Sequence, residues 1–350
     1  MQQPFRFAAL CVAACLVLVL ILYAFADKPN DYKNGFNRKL QPQIAVLENS
    51  LELKYPAYYI AGYTNQHIYL GNYSASLHLL SIDQQLKDTQ QLTLKISPEE
   101  RYAWKLARIM VDSPAVYMAE GNTPTLYRGK LDDLHMSRFL PQSCFFNMLQ
   151  NVSPASFISR SIHIDSSGNR QNILAKISTD PPYVILGKGI ITKQVDGIFC
   201  TDGTLDYDKQ TGRLVYLYHY RNAFVTLDTN LQVIYTAHTL DTNTTAKIQV
   251  AHMSTGDSKF SAPPAYVNSR ARIAGNRIYV LSTLLADNEN RQARQHQEII
   301  DVYTLDKGTY LHTLYIPFKG KERMSDFIVK DRRLFALYDQ TLNAYSIKAD

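Results

Sequence analysis

The sequence predicts an all-β protein, a six-bladed β-propeller that follows one N-terminal transmembrane helix. Three observations predict it. Beyond residue 26, helical periodicity is scarce, while short β-branched and aromatic runs alternate with turn residues and tyrosine reaches 24 copies. An aliphatic-aromatic or aliphatic-aliphatic pair recurs at Ile68-Tyr69, Val116-Tyr117, Ile162-His163, Val215-Tyr216, Ile278-Tyr279 and Leu334-Phe335, at intervals of 48, 46, 53, 63 and 56 residues. That spacing is the size of one four-stranded propeller blade. The third observation is Phe7 to Ala26, an uninterrupted stretch without a charge, long enough as a helix to span roughly 30 Å of hydrocarbon.

Composition narrows the classes. With 350 residues, 46% hydrophobic, 19% charged and four cysteines, the chain is too apolar for intrinsic disorder and too poor in cysteine for a disulfide-built miniature. Its 37 basic and 31 acidic side chains give a net +6 spread along the length. No nucleic-acid partner is expected, because such partners call for basic residues gathered on one stripe or helix.

Residues 1–6 form a short tail and 7–26 the expected anchor. Ala24-Phe25-Ala26 resembles a signal-peptidase site, but the apolar run exceeds the 7 to 15 residues of a signal-peptide core, which favours a retained single-pass anchor. A lipoprotein cut before Cys15 fits poorly, since it would leave the most apolar part on the mature chain. Arg6 precedes the span while Lys28, Lys33, Arg38 and Lys39 follow it, which by simple counting places the N-terminus outside. Large β domains are translocated largely regardless of such charges, so the expectation is a C-terminal domain outside the cytoplasmic (inner) membrane. Residues 27–43, holding Pro29, Gly35 and Pro42, read as a stalk, and 44–350 as the propeller domain.

Two repeats show the four-strand pattern clearly. One runs Gly203 to Tyr207, Arg213 to Tyr218, Ala223 to Leu227 and Leu231 to His238; the next runs Val267 to Ala274, Arg277 to Thr283, Glu298 to Leu305 and Thr309 to Ile316. The last repeat offers three strands before the chain ends. Its missing outer strand is expected from Ile44 to Leu53, which would close the ring. The third repeat, Ser156 to Ile191, is irregular, and a pair of β-sandwiches is the alternative that strand spacing leaves open.

Zinc-protease, Walker, serine-elbow and paired-cysteine motifs are all missing from the sequence. No catalytic residue, metal ligand or cofactor is nominated. Tyr218-His219-Tyr220-Arg221-Asn222 is the ligand-binding candidate: it joins the second and third strands of its blade at the end where a propeller's channel opens, and a cationic fork beside aromatics can hold a carboxylate, sugar or peptide. The competing structural reading has Tyr218 packing, Arg221 stacking or ion-pairing internally and Asn222 making the turn. Two long connections, Asp241 to Asn268 and Ala286 to Gln297, are further candidates for partner contact or simply solvated loops. Asp202 to Asp208 invites a calcium reading, but lacks the EF-hand pattern and fits strand alternation better.

From about Tyr55 onward the chain resembles the TolB-like six-bladed propellers of uncharacterised Bacteroidetes proteins. The phrases carrying the resemblance are Tyr59-Ile60-Ala61-Gly62-Tyr63 with Ile68-Tyr69-Leu70-Gly71-Asn72, Asp196-Gly197-Ile198-Phe199-Cys200-Thr201-Asp202-Gly203, Tyr218 to Asn222, and Ile300-Asp301-Val302-Tyr303. It implies a propeller outside the cytoplasmic membrane and supplies no catalytic residues. The expected function is therefore a membrane-held binding or scaffolding module for a protein, peptide or glycan, with a hydrolase or lyase built at the channel mouth as the alternative. Cys144 and Cys200 are expected as separate thiols, since the apolar neighbours of Cys200 suit a buried free cysteine.

Overall fold

The computed structural model describes residues 11–20, 33–39, 43–97, 106–140, 145–253, 258–318 and 322–347. The chain divides into two units, residues 1–34 and 35–350. In the first, residues 11–20 are helical, about 15 Å of helix at 1.5 Å per residue. Among the described residues no helix is long and apolar enough to cross a membrane; residues 7–10 and 21–26 of the expected anchor lie outside them.

The second unit is all-β and propeller-like. Among the described residues, six antiparallel four-strand meanders follow one another. The first takes Tyr58–Tyr63, His67–Asn72, Ala75–Asp83 and Thr89–Thr93, and the second Arg108–Asp112, Ala115–Glu120, Thr125–Lys130 and His135–Arg138. The third takes Phe146–Ser153, Ser156–Ile164, Arg170–Ser178 and Val184–Gly187, and the fourth Gly203–Asp208, Arg213–Tyr218, Ala223–Asp228 and Val233–His238. Asn268–Ala274, Arg277–Ser282, Gln297–Thr304 and Tyr310–Pro317 make the fifth. The sixth combines Asp326–Lys330, Arg333–Leu337 and Thr341–Ser346 with Val46–Glu52 from the other end of the domain. Val46 pairs with Ser346 and Glu52 with Thr341, so the expected closing strand is in place and covers an otherwise unpaired edge.

The recurring pairs of the sequence all lie on second strands, for a packing reason. In five of the six the pair is buried because the second strand is covered on both faces by neighbouring meanders, as with Ala115–Glu120, buried at every position, so it reads as a continuous apolar run; in the third meander Ile162 lies beyond that cover and is exposed. Outer strands alternate or face solvent, as Val233–His238 does. Apolar clusters join each meander to the next: Ile109 and Val111 to Tyr59 and Tyr69, Phe157 to Tyr117, Leu214 and Tyr216 to Ile158 and Leu174, Ile278 and Val280 to Val215 and Leu217, and Phe327 and Leu334 to Ile300 and Leu314. Phe335 and Leu342 then pack on Ile68 and Leu70, bringing the sixth against the first.

Three details departed from sequence expectation. The third repeat is a regular meander whose first strand, Phe146–Ser153, lies before Ser156 and is bulged twice against its partner, which blurred its period. The first two meanders merge into one nine-stranded sheet where Gly62 pairs in parallel with Val111; a Cβ on Gly62 would lie 2.3 Å from the Val111 carbonyl oxygen, so glycine alone permits the approach. The stalk expected over 27–43 also contributes to the domain. Phe36 and Arg38 are buried, and Gln43–Ile44 adds a short parallel strand to the outer edge of the fifth meander.

Candidate functional site

The turn at residues 219–222 closes the second and third strands of the fourth meander, Arg213–Tyr218 and Ala223–Asp228. It is stitched into its surroundings on both sides. The His219 amide donates to the Asp202 carbonyl at 2.9 Å, and the His219 carbonyl accepts from the amides of Val267 and Asn268 at 2.8 and 3.2 Å. The His219 Nδ1 donates to the Asn268 carbonyl at 2.9 Å, which fixes the tautomer because a carbonyl can only accept. Burial pushes the His219 pKa below its usual value, the nearby Asp202 opposing.

Tyr218, Tyr220, Arg221 and Asn222 are all buried. Tyr220 packs with Cys200, Ala246 and Ile248. Arg221 stacks 3.8 Å above the Tyr218 ring and donates through Nη2 to the Thr192 carbonyl and hydroxyl at 2.9 and 2.8 Å. Asn222 ties the turn to the following connection: its Nδ2 donates to the Asp241 carbonyl and its amide to the Asn243 carbonyl at 2.8 Å. Packing, stacking and turn formation thus occupy most of the five side chains, while His219 remains partly accessible.

The connection 241–268 folds over this turn, bringing two separately nominated regions into one place. It carries a small hairpin, Val250–His252 with Ser258–Phe260. Phe260 lies 4.5 Å from Phe199 and 5.7 Å from Tyr220, ring to ring. Tyr266 lies 4.9 Å from Tyr220 and 5.6 Å from His219, with 46% of its surface exposed. The result is an aromatic shelf of Phe199, Tyr220, Phe260, Tyr266 and His219. Asp241 is buried, its carboxylate accepting from Thr239 Oγ1 and from the Asn243 amide at 2.6 and 2.9 Å, a turn-forming role.

Beside the shelf, Arg160 bonds to Asp202, to Asn147 Oδ1 at 2.8 Å and to the Gly203 carbonyl at 3.1 Å. The Asp202 side chain keeps 35% of its surface exposed. Further along the first strands, Arg272 joins three meanders. Its Nη1 reaches Asp206 at 2.8 Å, its Nη2 reaches Asp326 at 2.5 Å, and its Nε reaches the Phe327 carbonyl at 2.9 Å. Burial raises the Asp206 carboxyl despite Arg272; burial also acts on Asp326, but Arg270 and Arg272 together hold it below the usual carboxylate range. Asp206 and Asp208, part of the calcium-like sequence, lie on a first strand, with Asp208 accepting from Thr211. Among the described residues no group of three His, Cys, Asp or Glu side chains could hold a metal ion.

The third nominated stretch, Ala286 to Gln297, receives residues 35–38, the start of the same unit. Glu289 and Asp301 grip Arg38, the Asn288 side chain bonds to the Arg38 backbone, and Ala293–His296 form a single 3-10 turn. Phe199 and Tyr266 fell within stretches singled out in the sequence, whereas Arg160 and Thr192 carried no local signal. They arrive from the third meander and the connection that follows it. Cys200 is a buried free thiol donating to the Asp196 carbonyl at 2.7 Å; Cys144 lies outside the described residues.

The domain is a β-propeller by architecture, and one solved structure supports that fold. No protein-family model and no curated protein matches the sequence. A member of the DUF4221 family from Bacteroides vulgatus matches with a TM-score of 0.53 at 15% identity, covering 87% of this chain and 97% of that one. A virginiamycin B lyase from Staphylococcus aureus, solved with quinupristin, matches with a TM-score of 0.45 at 9% identity over 86% and 99% of the two chains. At 15% identity the likeness to the DUF4221 protein shows the fold alone.

Proposed function

We propose that this protein is a TolB-like six-bladed propeller, anchored in the cytoplasmic membrane through residues 7–26 with its domain outside, that acts as a binding or scaffolding module for a protein, peptide or glycan. The observation carrying this reading is the aromatic shelf, with Tyr266 open to solvent on buried Tyr220 and Phe260. Aromatic groups held rigid on one side and exposed on the other present contact area at little entropic cost. Three carboxylates near the first strands are engaged by arginines, Asp202 by Arg160 and Asp206 and Asp326 by Arg272. That commitment argues against free acid-base groups and so against the hydrolase or lyase alternative.

Photo-crosslinking tests the reading. A photoreactive residue at position 266 should give a defined adduct in native membranes, and one at Gln210, in the turn at the other end of the same meander, should not. Equal adducts from both, or none from 266, would sink the proposed surface. For the anchor, a mature N-terminus at Asp27 by mass spectrometry, or a domain protected from protease in spheroplasts, would overturn the membrane assignment.

A further inference from the structure

Around Thr192, hydrogen-bond donors outnumber acceptors. Arg221 is 5% exposed and carries a guanidinium cation, yet no carboxylate among the described residues lies within ion-pair distance of it. Its Nη2 is used by Thr192, its Nε is buried without an acceptor, and its Nη1 has no acceptor among the described residues. The Thr192 hydroxyl already accepts from Nη2 at 2.8 Å, which leaves its own hydrogen to give. The Tyr218 hydroxyl likewise accepts from the Thr192 amide at 3.1 Å, and its hydrogen is uncommitted. Thr192 itself is exposed, so this nook opens to solvent.

An unpaired buried cation is unfavourable unless an anion or water completes it. We propose that this nook binds a carboxylate, with Arg221 Nη1, the Thr192 hydroxyl and the Tyr218 hydroxyl as its donors. One uncompensated positive charge is balanced by a monoanion, whereas a phosphate dianion would leave a net negative charge there. Carboxylate oxygens accept such convergent bonds readily. The inference rests on reading this end of the domain as a ligand surface and adds the chemical class of the ligand.

The test is thermal melting of the full chain in sodium acetate against sodium chloride at matched ionic strength and pH 7.5. Saturating acetate should raise Tm by about 2 °C through linkage, and Arg221→Gln should abolish the rise. Identical melting in the two salts, or an acetate rise that persists in Arg221→Gln, overturns the proposal. The second outcome would mean a general salt effect. Should Arg221→Gln fail to fold, Thr192→Val decides: losing at least half of the acetate rise supports the site, and keeping all of it refutes it. Glucuronate and N-acetylglycine serve as further probes, a larger Arg221-dependent rise with the first assigning a sugar acid and with the second a peptide carboxylate. Acetate binding without crosslinks from position 266 would retire the aromatic surface and leave this site standing.

Discussion

Arg38 is the residue whose loss has the most calculable consequence. Its side chain is fully buried, and its five N–H groups match five acceptors. Nε and Nη2 grip Asp301 Oδ1 and Oδ2 at 2.8 Å each, Nη2 also donates to Ser282 Oγ at 2.9 Å, and Nη1 donates to Glu289 at 2.6 Å and the Leu284 carbonyl at 3.1 Å. Arg38→Met fills similar volume but strips the counter-ion from two buried carboxylates. Removing one partner of a buried pair costs about 3–5 kcal/mol, and we expect the upper part of that range because Asp301 keeps little besides Thr313 Oγ1 at 2.6 Å. Arg38→Lys should recover less than half, since an ammonium cannot supply the two-pronged grip on Asp301. Urea unfolding followed by circular dichroism measures both. A loss below about 1 kcal/mol for Arg38→Met would refute the argument, showing that the 33–39 segment is dispensable to the domain.

Further outcomes follow from the same geometry. Deleting Val46–Glu52 exposes the edge of Thr341–Ser346 and should lower the melting temperature of the whole domain by calorimetry; an unchanged transition would mean the ring does not depend on that strand. Gly62→Ala forces a Cβ against the Val111 carbonyl and should cost about 1–3 kcal/mol, read by the same urea titration, with no change counting against the close approach. Because burial depresses the His219 pKa, the unfolded chain binds a proton there first as pH falls below about 6.5. Stability should therefore be full above that pH and decline below it, and His219→Asn should shrink the decline between pH 7.5 and 5.5. His78, also depressed by burial, accounts for part of what remains; an undiminished decline in the variant would sink the assignment to His219.

The propeller-like architecture was legible in the sequence because a strand covered on both faces must be largely apolar, and five such strands mark the chain at blade-sized intervals, the third repeat's pair being exposed at Ile162. The closing strand was legible for a related reason: a final repeat with three strands leaves an edge, and Ile44 to Leu53 had the composition to fill it. The third repeat was misread at its start because the bulges in Phe146–Ser153 break the two-residue period. Turns were harder still. Leu86, Leu134 and Leu231 all adopt positive φ, a conformation leucine enters against its own preference, and they do so with their side chains buried; only the packing between meanders compensates for that, and packing is invisible along the chain. The five-residue candidate showed the same division. Sequence could place Tyr218 to Asn222 at a turn, since the flanking strands fix where the chain reverses. Tertiary structure decided that Tyr220 is packed beneath Phe260 and Tyr266, that Arg221 turns toward Thr192 with no carboxylate among the described residues to meet it, and that Arg38, read as part of a stalk, is held by Asp301 more than two hundred and fifty residues away. Local pattern records which side chains must leave water, whereas charge pairing depends on which distant segments arrive opposite them.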